Sequence, residues 1–68
     1  MKLKIVQLCE MKTVTRIYAY YTGNKTEVYT NIVPMKIVKF MNEKDTIKIT
    51  DEETYKNKRI ITFQKEGE

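Results

Sequence analysis

Residues 13–33 read TVTRIYAYYTGNKTEVYTNIV, two runs of β-branched and aromatic residues on either side of Gly23-Asn24. That dipeptide suits the positive φ values of a two-residue hairpin turn, and isoleucine, valine, threonine and tyrosine fit a pleated, half-buried surface. The stretch is predicted to be a β-hairpin. A two-residue turn pairs Thr22 with Lys25, Tyr20 with Glu27, Tyr18 with Tyr29, Arg16 with Asn31 and Val14 with Val33 on one face. The alternate face then carries Ile17, Ala19, Val28 and Ile32 with Thr15, Tyr21, Thr26 and Thr30, and is the expected core side. A three-residue loop would slide one strand by a residue and mix the two sets, so their chemical separation favours the shorter turn.

Upstream, Leu3 to Cys9 reads as a first strand in which the apolar parity switches between Ile5 and Val6. Such a switch marks a bulge or a stretch covered on both faces. Lys2 and Lys4 are expected near an edge, and Leu3 to Cys9 as an exposed edge strand is a route to self-pairing into a homodimer. Downstream, Pro34 suits a first helical position, and Met35, Ile37, Val38, Phe40 and Met41 alternate with Lys36, Lys39 and Glu43 as in a two-turn amphipathic helix ended by Asn42. Continued strand is the rival reading, because Ile37-Val38 also favours sheet. Met35, Met41 and Phe40 are expected to fill the core. Thr46 to Thr50 alternates as a strand, an acidic and polar loop follows, and Arg59 to Gln64 makes a last strand. The order βββαββ predicts an α+β, β-rich fold: a small antiparallel sheet of four or five strands with one short helix, left open or curled into a small barrel.

With 68 residues the chain forms one domain, residues 1–68, of which 65–68 are expected to fray. A core this thin usually needs disulfides, a metal or association. Cys9 is the only cysteine and there is no histidine, so no internal disulfide and almost no zinc-ligand set exists. Association remains. The apolar patch within Met1 to Glu10 is too short for a signal peptide and no stretch is long enough to span a membrane, so the expected location is the cytoplasm, with Cys9 reduced and packed as a small hydrophobe.

Catalysis is not expected, and neither is a cofactor. Proton transfer near neutral pH relies on histidine or a deeply buried carboxylate, Asp51, Glu52 and Glu53 read as solvated surface, and neither glycine opens a phosphate-binding loop. The net charge of +4 is moderate and comes mostly from lysine, which reads base edges less specifically than arginine.

The predicted hairpin gathers Tyr18, Tyr20 and Tyr29 with Arg16, Asn31 and Lys25 on the face away from the core. Tyrosine and arginine anchor many protein interfaces, so the expected function is a non-catalytic module that binds a larger protein as a regulator or inhibitor. The alternative is a weakly sequence-selective binder of single-stranded nucleic acid, with bases stacking on the tyrosines and Lys25 and Lys48 following the phosphates. A third reading buries the tyrosines as the second side of a small barrel.

Overall fold

The computed structural model describes residues 2–43 and 45–65. Five strands and one helix follow in the order β1 (Leu3–Met11), β2 (Thr15–Tyr21), β3 (Lys25–Thr30), α1 (Met35–Met41), β4 (Ile47–Tyr55) and β5 (Lys58–Lys65). All neighbours are antiparallel, in the spatial order β3-β2-β1-β5-β4, and the sheet stays open. The expected βββαββ fold is present, without barrel closure.

The apolar pattern positions α1. Its seven residues turn Ile37 and Phe40 inward, three positions apart, onto one face of the sheet. There they form the core with Val6, Ile17, Ala19 and Ile47, while Leu3, Leu8, Tyr21, Tyr29, Met41 and Phe63 close around them. Ile17, Ile37 and Val6 are fully buried, and each such side chain contributes about 1.5–3 kcal/mol by leaving water. Pro34 caps the helix rather than entering it: its extended ψ of 152° ends the preceding segment, and its carbonyl accepts the N–H groups of Ile37 and Val38. Asn42 ends α1 as expected. Of the three residues assigned to core filling, Phe40 and Met41 pack inward but Met35 is 67% exposed, because it begins the helix outside the buried stripe.

The β2–β3 register differs from the expected one. Tyr21 pairs with Lys25, Ala19 with Glu27, Tyr18 with Val28 and Ile17 with Tyr29, so the loop is the three-residue Thr22-Gly23-Asn24, with φ of 80° at Gly23 and 64° at Asn24. Both central residues do take positive φ, but the slip exchanges the two faces of β3. The physical reason is Glu27. On the helix side its Oε1 accepts the hydroxyls of Tyr21 and Tyr29 and the Lys36 ammonium. At a sheet edge that cluster outweighs hiding Val28, which ends 53% exposed.

Two further expectations are corrected. Strand β1 lies at the centre of the sheet, paired with β2 and β5, so Leu3 to Cys9 has no open edge for self-pairing and Lys2 and Lys4 do not flank one. Its parity break is real and falls between Leu3 and Ile5, where the register with β2 shifts. The acidic segment is strand rather than loop: β4 runs through Asp51, Glu52 and Glu53 to Tyr55, and only Lys56-Asn57 turn the chain. Cross-strand pairing explains this, since Glu52 accepts from Arg59 at 2.8 Å and a register shift between Ile49 and Asp51 absorbs one residue. Of the expected frayed tail, Lys65 belongs to β5 and residues 66–68 lie outside the described residues.

Candidate functional site: the helix-free face of the sheet

Because α1 covers one side only, every second residue of the five strands faces away from it. The registers order these residues into rows across the sheet. One row runs Thr30, Arg16, Cys9, Ile60, Glu53; the next Val28, Tyr18, Gln7, Thr62, Asp51; the third Thr26, Tyr20, Ile5, Gln64, Lys48. Met11, Lys58 and Tyr55 follow at one end. On the three inner strands Ile5, Cys9, Tyr18, Tyr20 and Ile60 alternate with Gln7, Thr62, Gln64 and Arg16, and Lys48, Asp51 and Glu53 line the β4 edge.

A polar chain crosses the middle of this surface. The Tyr20 hydroxyl donates to Gln7 Oε1 at 2.9 Å, and Gln7 Nε2 donates to Thr62 Oγ1 at 3.4 Å, linking β2, β1 and β5. Thr62 is buried by its neighbours, as is Cys9, while Tyr18, Tyr20, Ile5, Met11 and Ile60 are half-buried with no element above them. Holding Tyr20 through Gln7 limits the rotamer freedom it would lose on contact with a partner. At the rim, the Tyr55 hydroxyl donates to Glu53 Oε2 at 3.0 Å, and this bond raises the tyrosine's pKa.

The structure brings together Arg16, Tyr18 and Tyr20 of the expected site and separates the rest. Lys48 shares their face, across the sheet from Tyr20. Tyr29 and Lys25 are on the helix side. Tyr29 packs against the core, and Lys25 lies 3.6 Å from Glu27 Oε2 and 5.5 Å from the Tyr21 ring centroid. Asn31 stands past the end of β3 with a left-handed φ of 59°, its Oδ1 accepting the Thr15 N–H at 2.8 Å, so its carboxamide closes the hairpin mouth. The tyrosine trio is therefore split by the one-residue slip.

Sequence reasoning missed Ile5, Met11, Val28 and Ile60. For Ile5 and Ile60 the signal was adjacency: Ile5-Val6 and Ile60-Ile61 are neighbouring apolar pairs, which place apolar side chains on both faces of β1 and β5.

Among the described residues no helix is long and apolar enough to cross a membrane, and no group of three or more histidine, cysteine, aspartate or glutamate side chains is arranged to hold a metal ion. The chain matches no protein-family model, no curated protein and no solved structure.

Proposed function

We propose that this chain is a non-catalytic protein-binding module that regulates or inhibits a larger protein by laying its helix-free sheet face on an apolar patch of that protein. The observation that carries the reading is the uncovered set Ile5, Tyr18, Tyr20 and Ile60 on the central strands of that face, with Met11 at one end. An antiparallel sheet with one solvated side normally shows polar residues there. Five strands spaced about 4.8 Å apart and three rows about 6.8 Å apart give a flat footprint of about 500 Å². With side-chain relief this approaches the roughly 800 Å² per partner of an ordinary stable interface. The mixed rim, Arg16 and Lys48 against Asp51 and Glu53, supports a protein partner over a polyanion.

The test is retention of a partner from extracts of the producing cells on immobilised protein at high salt, followed by its purification and titration. A single partner binding one to one, weakened at least about thirtyfold by Tyr18→Ser with Tyr20→Ser at unchanged melting temperature, is the expected result. A partner indifferent to that double substitution, or binding lost at moderate salt, overturns the reading.

A further inference from the structure

The helix side of the sheet carries a second feature, independent of the helix-free face. Where β1 begins and β2 and β5 end, Leu3 pairs with Tyr21 and Ile5 with Gln64, and α1 passes over this end of the sheet. Between them opens a cleft of about 450 Å³, inside the range of small-molecule sites. Leu3, Tyr21 and Phe40 supply apolar lining, and Lys2, Lys36, Lys39 and Lys65 surround them. Among the described residues Glu43 is the one acidic group of the lining, and its Oε2 accepts the Thr46 hydroxyl.

Among the described residues of the lining, four lysines less one glutamate leave a formal charge of +3. Lys36 is held by Glu27 at 2.8 Å and lies 5.5 Å from the Tyr21 ring centroid, so it fixes one wall. Lys2, Lys39 and Lys65 take part in none of the ion pairs among the described residues. A concave surface lined by one sign of charge focuses its field and concentrates counter-ions, and lysine ammonium groups bind phosphate as point charges. The apolar lining narrows the ligand further. Inorganic polyphosphate would leave Leu3 and Tyr21 uncovered, and a fatty-acid anion brings one negative charge to three lysines outside the ion pairs of the described residues. A nucleotide satisfies both halves, with an aromatic base for Tyr21 and Leu3, phosphates for the lysines, and sugar hydroxyls or a base amine that Glu43 can accept from.

We propose that this cleft binds a nucleotide, its phosphates on Lys2, Lys39 and Lys65 and its base against Leu3 and Tyr21. The same chemistry is offered by a free nucleotide and by the terminal unit of a 5′-phosphorylated strand.

Amide chemical-shift titration of the whole chain tests it, with adenosine triphosphate in metal-free buffer and, in parallel, inorganic tripolyphosphate, laurate and a 5′-phosphorylated thymidine decamer. Saturable shifts with the triphosphate are expected at residues 2–3, 21, 36–43 and 65. Lys39→Glu with Lys65→Glu should weaken binding about tenfold or more, while Lys48→Glu with Lys58→Glu, the same charge change elsewhere, should alter it less than about twofold. If the glutamate pair lowers the melting temperature, Lys39→Gln with Lys65→Gln makes the same comparison. Tighter binding of the decamer than of the triphosphate assigns the ligand to a strand end, and the reverse assigns it to a free nucleotide. No saturation below about 10 mM, tripolyphosphate or laurate binding as tightly as the nucleotide, or equal loss in the two charge-reversed pairs overturns the proposal.

Discussion

Lys36 Nζ lies 2.8 Å from Glu27 Oε1, the same oxygen that accepts the Tyr21 and Tyr29 hydroxyls at 2.7 Å each. One carboxylate therefore fastens α1 to the edge strand β3 and to the end of β2. The arrangement is self-consistent electrically: Glu27 raises the pKa of Lys36, and the donors hold Glu27 down.

That cluster predicts a pH signature. Hydrogen bonds from Lys36, Tyr29 and Tyr21 lower the Glu27 pKa from 4.5 to about 2. A carboxylate lowered on folding contributes stability above its unfolded pKa and loses it as pH falls through the folded value. Glu27→Gln should therefore melt below the parent at pH 6, and the gap should shrink as pH drops from about 4.5 towards 2. Thermal melts of both proteins across this range check it, and a constant gap would show that the carboxylate charge is irrelevant.

The two faces of the hairpin predict opposite behaviour for two tyrosines. Tyr29 packs against the core and bonds to Glu27, so Tyr29→Ser should cost about 2 kcal/mol or more. Tyr18 faces away from α1 beside Val28 and Gln7, and Tyr18→Ser should cost less than about 1 kcal/mol. Urea titrations of the two single variants give the comparison.

Ile17 is fully buried among Val6, Ala19, Ile37 and Phe40. Ile17→Asp puts an unpaired charge there and should abolish the cooperative transition, whereas Ile17→Ala should leave it intact but weaker by about 2–4 kcal/mol. Circular dichroism melts distinguish the two.

Asn31 offers a separable test of backbone and side chain. Its N–H donates to the Thr15 carbonyl and its Oδ1 accepts the Thr15 N–H, both at 2.8 Å, with φ at 59°. Asn31→Ala loses the side-chain bond and strains the left-handed backbone, for about 1–2 kcal/mol, and Asn31→Gly should recover the backbone part alone. Equal destabilisation by both would assign the whole effect to the carboxamide.

The order of elements and the inward face of β2 were readable because Ile17 and Ala19 alternate strictly with Arg16, Tyr18 and Tyr20, and period two needs no tertiary information. The β3 register was not. Val28 and Ile32 advertise a buried edge, but what holds β3 is Glu27 meeting Lys36 from a helix nine residues on, a contact that no local pattern encodes. The extension of β4 was hidden likewise, since Glu52 reads as solvated until Arg59 stands opposite. Of the candidate site, Arg16, Tyr18 and Tyr20 were legible in the hairpin. Ile5 joins them by pairing with Tyr20 across β1 and β2, and Ile60 only through the β1–β5 pairing, which sets it opposite Cys9 about fifty positions away.

The central position of β1 also dictates the order in which the sheet can be assembled. Glu10 pairs with Arg59 and Ile5 with Gln64, so during synthesis β1 can zip to β2 early, yet its other side waits for nearly the whole chain to emerge. Such a high-separation pairing is slow to close, and in the interval the donor and acceptor groups along Ile5 to Met11 stand ready for any β5 that arrives first. At high expression levels that strand can come from a neighbouring nascent chain, which makes exchange of the β4–β5 hairpin the characteristic misassembly of this fold.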